Sequence, residues 1–357
     1  IGHDWGIADA TASDTLIGGT GDDTMIGGDG SDELDSGRGD DVLKGGLGDD
    51  TLVAGLGNDE LFGDEGNDLM TSRGGFDEMH GGAGDDTMEG SFEGATIYGE
   101  DGNDLIGGAR FGVGGAGDDT IEGADYLGGT DILLGGEGDD LITGRSNSAD
   151  VLEGGNGNDT IMGSFGDDTL RGGEGRDDLF GGRDTDELYG GNGADVLEGD
   201  AGNDLLYGEA GVDLLFGGDG DDTVDAGAGL DAIVEGNAGN DLILSGTDGA
   251  DSMSGGEGND TIVGQDGTVE SMLGGDGDDH LFGFEDATMD GGDGFDTYYF
   301  AGANDPGVSI IDNFEPFSDT LVVMHPDDET PTMDDVSFVP TADGLHTLLN
   351  YEHPDGT

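Results

Sequence analysis

The sequence predicts an all-β protein: a parallel β-roll, a β-helix-like solenoid of 18-residue coils over residues 1–299, with a small C-terminal β cap over 300–357. Three observations predict it. A nine-residue phrase, G-G-x-G-x-D-x-U-x with U a large apolar residue, recurs through most of the chain. In its two unbroken runs the apolar position is never polar. Glycine fills the turn positions of the phrase and thins out sharply beyond residue 300. Repeats of this period specify stacked supersecondary units that share one continuous core.

A clean copy is Gly18-Gly19-Thr20-Gly21-Asp22-Asp23-Thr24-Met25-Ile26, and the next copy begins at Gly27 without a gap. The sixth-position aspartate returns as Asp14, Asp23, Asp32, Asp41, Asp50, Asp59, Asp68, Asp77 and Asp86. It continues less regularly through Asp104, Asp119, Asp131 and Asp140. A second unbroken run is Asp150, Asp159, Asp168, Asp177, Asp186, Asp195, Asp204, Asp213, Asp222 and Asp231. Asp241, Asp251, Asp260, Asp279 and Asp296 complete the set.

Each repeat reads as turn and then strand. Glycines at positions one, two and four permit positive φ and close backbone approach. Positions seven to nine make a three-residue strand whose middle residue points inward and whose neighbours point outward. Two such half-turns make one coil, and stacked coils pair in parallel. The inward residues run from Leu16 to Met88 and from Leu152 to Ile233 in the two runs. Low apolar content with large net charge usually means disorder. That description suits the metal-free chain, but disorder does not require an apolar residue at every ninth position.

The breaks are placed systematically. Between Asp86 and Asp150 the irregular pieces 90–98, 108–113, 123–134 and 144–153 fall on one edge of the stack when each piece counts as a half-turn. Ser36, Ala54 and Ser72, weak substitutes for the first glycine, fall there too. The irregular series 245–254, 264–273 and 283–290 falls on the other edge by the same count. Ala95, Glu270 and Ala287 replace the aspartate, while Ile97, Met272 and Met289 keep the core. The expectation is therefore a continuous core with weakened metal sites. The irregular loops of 90–153, with Phe92, Tyr98, Arg110, Phe111, Tyr126 and Arg145, are the candidate partner-binding surface, the alternative being tolerated drift on a redundant scaffold. All six prolines lie beyond residue 300, among short apolar runs with strand-like spacing, hence the predicted cap.

Eighty-five acidic residues against 8 basic ones give a formal charge of −77. Nucleic acid and anionic membrane surfaces are polyanions too, so neither is a suitable partner. Cations are. No apolar stretch approaches the roughly 18 residues of a membrane span, and the start lacks the features of a secretory signal peptide. Cysteine is absent, which removes disulfides and thiolate metal sites.

A carboxylate on a glycine turn, flanked by main-chain carbonyls, offers hard oxygens. Calcium suits such a site because it takes six to eight oxygens in flexible geometry at about 2.3–2.6 Å. Magnesium demands a stricter octahedron, and the six histidines show no zinc-ligand spacing. Coils about 4.8 Å apart would stack these carboxylates as a ladder of like charges. Each close pair repels by roughly 1 kcal/mol even in water. A divalent ion between coils would reverse that repulsion, and metal binding would become part of folding.

The phrase resembles the RTX (repeats-in-toxin) nonapeptide of bacterial proteins exported by type I secretion, over roughly residues 9–299. The resemblance implies a calcium-binding β-roll with the sixth-position aspartates as side-chain ligands and glycine-turn carbonyls beside them. It also implies a secreted, extracellular or cell-surface location. Asp219-Gly220-Asp221-Asp222 is no EF-hand, since the distal glutamate is missing, and no H-E-x-x-H or G-x-S-x-G is present. The expected function is a non-enzymatic, calcium-folded structural, surface-layer or adhesive module holding roughly 20–25 ions. Its other expected partner is a second copy or a cell-surface protein. The alternative is the secretion and folding-assistance part of a larger secreted enzyme. Ice binding would need an outward threonine ladder, which Thr15, Thr24, Glu33, Val42, Thr51, Glu60 and Leu69 do not make.

Overall fold

A computed structural model describes residues 5–7, 12–91, 93–124, 129–145, 147–229, 231, 233–247, 251–264, 270–284, 287–301, 310–315, 318–324, 336–340 and 346–351. The chain divides into two compact units, Ile1–Gly181 and Gly182–Thr357. Both are parallel β-solenoids, with no helix among the described residues, and together they hold about 15 coils of roughly 18 residues.

In the first unit most strands pair in parallel with the strand two further along the chain, and the long strand Leu105–Ala116 also pairs with its direct neighbours Ala95–Asp101 and Thr120–Gly123. Thr24–Asp29 lies on Val42–Leu47 in the register Thr24↔Val42, Met25↔Leu43, Ile26↔Lys44. Val42–Leu47 lies on Glu60–Glu65 with the same 18-residue offset. The second unit repeats the scheme, as in Glu187–Gly193 on Leu205–Gly211. The eighth-position residues form the core of both units, except that Val234 is buried in place of the expected Ile233, which is exposed. Leu34, Leu61, Ile106 and Leu152 in the first, and Leu188, Leu206, Ile243 and Leu281 in the second, are completely buried.

Many strands are six residues long rather than the expected three, as in Thr15–Thr20 and Ser252–Glu257. Pairing carries on into the glycines, with Gly19 on Gly37 and Gly28 on Gly46. A Cβ at Gly46 would collide with the Gly28 carbonyl, so only glycine allows that approach. Three-residue strands survive where the next turn departs from the repeat. Thr51–Val53 precedes Ala54, and Leu69–Thr71 precedes Ser72.

One coil in the first unit loses its apolar eighth residue. Ile97 stacks on Gly112, which stacks on Leu133. A Cβ on Gly112 would come within 3.1 Å of the Ala109 methyl and of Leu133, so Ala109 fills the space instead.

In the second unit parallel pairing crosses residue 300, since Thr297–Ala301 lies on Thr320–Met324. Among the described residues the direction reverses where Ile310–Asp312 and Val336–Pro340 pair antiparallel with His346–Tyr351. Tyr298, fully buried, accepts a hydrogen bond from the Gly291 N–H at 2.8 Å.

Candidate metal sites

The sixth-position aspartates stack along the edges of each unit, joined by a regular bond. Asp14 donates its backbone N–H to Asp32 Oδ1 at 2.7 Å, Asp32 to Asp50 at 2.7 Å, and Asp50 to Asp68 at 2.7 Å. The chain of bonds runs on through Asp86, Asp104, Asp119, Asp140 and Asp159 to Asp177. In the second unit an unbroken edge joins Asp186, Asp204, Asp222, Asp241, Asp260, Asp279 and Asp296. The carboxylates therefore do not simply face one another as the expected ladder of bare charges. One oxygen of each is turned to the amide of the preceding coil, which relieves part of the repulsion.

The other oxygen has no such partner. Oδ2 of Asp32, Asp41, Asp50, Asp59, Asp68, Asp77, Asp86, Asp104, Asp119, Asp140 and Asp159 is buried without a hydrogen-bond donor. The same holds for Asp204, Asp213, Asp222, Asp231, Asp241, Asp260 and Asp279. In the repeats that begin with glycine, this oxygen lies against that glycine, beside a carbonyl of the next coil. A Cβ at Gly18 would fall 2.5 Å from Asp23 Oδ2 and 2.7 Å from the Ser36 carbonyl oxygen. Two acceptors brought together in a buried place call for a cation.

Among the described residues no three carboxylate or imidazole side chains converge on one point. An ion here would draw one or two oxygens from aspartate and the rest from main-chain carbonyls and water. That donor set fits calcium and offers zinc nothing.

Without metal, the proton is the competing cation. Burial pushes the carboxyls of Asp86, Asp119, Asp140, Asp204, Asp213, Asp241 and Asp279 up to about 7 from the ordinary 3.8. It pushes Asp50, Asp59, Asp104 and Asp222 up to about 6. The amide bonded to Oδ1 works against the shift, and neighbouring carboxylates add to it.

The second edge of each unit is interrupted. In the first unit Asp23, Asp41, Asp59 and Asp77 are bonded in series, the ladder stops, and Asp131, Asp150 and Asp168 resume it. Ser36, Ala54 and Ser72 each bring a Cβ to the position where glycine repeats crowd a carboxylate oxygen. At Gly90 the Ala95 methyl takes the carboxylate's place beside the Gly108 carbonyl. Asp131 is a special case. Its Oδ2 accepts the Ala124 N–H at 3.0 Å. Burial still raises its carboxyl to about 7, with Asp150 adding and Ala124 and the Arg110 charge opposing. The shortened piece makes a coil of 15 residues between Asp104 and Asp119, and the following coil has 21.

In the second unit the interrupted edge joins Asp195, Asp213, Asp231 and Asp251, with Ser245 at one first position. Ala287 leaves an apolar place there, whereas Glu270 keeps a buried carboxylate.

Sequence reasoning missed two further features. Asp319 extends the second unit's continuous edge, accepting the Asp296 N–H at 3.4 Å and the Glu315 N–H at 2.7 Å. Asp319-Thr320-Leu321-Val322 keeps the last four positions of the phrase after the glycines have gone. An outer ladder also runs through the fifth position, in the opposite sense. Asn67 donates its N–H to Asp49 Oδ1, and Asp85 to Asn67 Oδ1, both at 3.0 Å. The recurring Asn-Asp and Asp-Asp pairs were its signal.

Of the expected partner-binding residues, Phe92 and Tyr126 lie outside the described residues. The others are engaged within the chain. Tyr98 stacks on His80 and meets Phe111 edge-on. Arg145 pairs with Glu122 at 2.7 Å, and the Arg110 head packs on Gly129.

These features define a parallel β-solenoid whose edges are lined by buried carboxylates with one oxygen left without a donor in repeat after repeat. The family model of the RTX calcium-binding nonapeptide repeat matches in overlapping segments from residue 10 to residue 268. The chain belongs to that family and is a calcium-binding repeat module. No curated protein matches it. No helix of the described residues is long and apolar enough to cross a membrane.

Proposed function

We propose that calcium drives the folding of this chain, and that it works outside the cell as a structural, surface-layer or adhesive module without catalytic activity of its own. The observation that carries this reading is the buried Oδ2 left without a donor in repeat after repeat. Leaving one such oxygen uncompensated costs several kcal/mol, so the metal-free stack of them is unfavourable at neutral pH. Roughly 20–25 ions, each spanning neighbouring turns, would supply the missing charge. Family membership supports export and an extracellular setting, where calcium reaches millimolar levels. A second copy or a cell-surface protein is the expected further partner.

Circular dichroism of the full chain tests the folding claim. The spectrum should pass cooperatively from coil-like to β-rich between about 10⁻⁴ and 10⁻³ M calcium. Magnesium at the same concentration should do far less. A β-rich spectrum at neutral pH in excess chelator would overturn the reading. Electron microscopy of the calcium-loaded protein then tests self-assembly, with sheets or fibres as the expected outcome.

A further inference from the structure

We propose that Arg110 is a built-in cation of the first unit's interrupted edge, so that the coil carrying Asp131 closes on that side without calcium. The proposal rests on the calcium reading above, since it names an aspartate that the ions pass over.

Strand register puts Arg110 at the level of a missing carboxylate. Phe111 pairs with Thr96 on one side and with Ile132 on the other. The residues before those two are Ala95 and Asp131, so the column runs Ala95, Arg110, Asp131. Ala95 itself pairs with Ala109, which leaves Arg110 as the extra residue of a β-bulge. The bulge turns Ala109 into the core and leaves Arg110 exposed. The placement is not isolated. In the first unit Arg38, Arg73, Arg110 and Arg145 all fall in turns of the interrupted edge, against Arg176 alone in those of the continuous one.

Two glycines make room for the side chain. A Cβ on Gly94 would lie 2.9 Å from Arg110 Cβ and 3.6 Å from its Cδ, and one on Gly129 would lie 2.9 Å from Cζ and Nη2. The stem therefore crosses the residue before Ala95, and the guanidinium lies over the backbone just ahead of Asp131.

Asp131 then receives from the chain what other carboxylates do not. On the continuous edge, Oδ2 of Asp119 and Asp140 is buried without a donor. Asp131 Oδ2 is set in the same way, against Gly123 and the Gly144 carbonyl, yet it accepts the Ala124 N–H at 3.0 Å. Asp131 is 1% exposed, and the Arg110 charge opposes what burial and Asp150 do to its carboxyl. On the coil of Ala95 there is a methyl in place of a charge. A divalent ion entering between these coils would meet an oxygen already bonded, no carboxylate on the preceding levels, and a guanidinium that repels it.

Anomalous scattering from calcium-loaded crystals of the full chain tests the assignment. Peaks are expected within about 2.3–2.6 Å of the Asp119 and Asp140 carboxylates and none within that distance of Asp131. A peak at Asp131 as well would overturn the inference and leave the calcium reading standing. No peak at any carboxylate would bring down the calcium reading itself. Amide exchange of Ile132–Glu137, followed against calcium concentration, tests the role of the charge. Arg110→Gln deprives the coil of its own cation and should raise the protecting calcium concentration about threefold, with Glu60–Glu65 unchanged. Arg110→Lys keeps the charge and should shift it by less than about twofold. Equal midpoints for Arg110→Gln and the unsubstituted chain would overturn the assignment. If Arg110→Gln does not fold, the map of the unsubstituted chain still decides.

Discussion

Asp186 donates its backbone N–H to Oδ1 of Asp204 at 2.8 Å across one coil, while Oδ2 of the same carboxylate is buried without a donor. The two oxygens thus hold different offices, one cohesive and one electrostatic. Substitution separates them. Asp204→Asn keeps an acceptor for the Asp186 amide and removes the charge. It should weaken calcium binding at that coil about tenfold or more while raising β content in chelator. Asp204→Ala should lose both, costing about 1–3 kcal/mol more than the asparagine variant in calcium. Calcium titrations followed by circular dichroism, with chemical denaturation of each variant, check the difference.

Acid should act in opposite directions on the two forms. For carboxyls raised from 3.8 to about 6 or 7, the folded chain holds more protons than the unfolded one between those values. Their contribution to stability is therefore fully present below 3.8 and is lost as pH rises through about 7. The metal-free chain should gain β structure as pH falls from 7.5 to about 4.5. The loaded chain should release calcium over the same interval, because protons compete for the same oxygens. Parallel pH titrations of dialysed and calcium-saturated protein measure both.

First-position glycines such as Gly45 are buried and should tolerate no added side chain. A Cβ at Gly45 falls on Asp50 Oδ2 and 2.9 Å from the Gly63 carbonyl oxygen, so Gly45→Ala should cost about 1–3 kcal/mol and impair calcium binding locally. Ala54→Gly on the interrupted edge should cost about 1–2 kcal/mol, from backbone entropy and one buried methyl, and leave calcium binding unchanged. Denaturation midpoints in saturating calcium compare the two.

Each eighth-position side chain touches only its own neighbourhood of coils. Leu206→Ala should destabilise by about 2–5 kcal/mol. Because repeat arrays couple mainly to nearest neighbours, amide exchange should rise in Glu187–Gly193, Leu205–Gly211 and Thr223–Asp225 before it rises elsewhere. A uniform rise along the chain would contradict that locality.

The period, the parallel coil and the buried eighth position were readable because each depends on spacing alone. Leu61 and Leu188 are buried simply because every ninth residue points inward. Carboxylate orientation was not readable, since the partner of Asp204 Oδ1 is an amide, and amides carry no residue identity. The level of Glu270 was readable from Met272 two residues on, and strand register agrees with it. Asp319 was hidden because the glycines that mark its predecessors are absent, although its bond to the Asp296 amide continues the edge. Gly112 shows the reverse error. A pattern read as an intact core contains one place where backbone and a neighbouring methyl substitute for a side chain.

The 15-residue coil closed at Asp119 and the 21-residue coil closed at Asp140 offset each other, so the aspartates on either side of them stay in step. In the first unit one side of the stack keeps time and the other absorbs the edits. Foreign segments grafted between Ala124 and Gly129 should therefore be displayed without disturbing the bond from Asp140 to Asp159 beyond them. That unit is a ruler on one side and a notice board on the other.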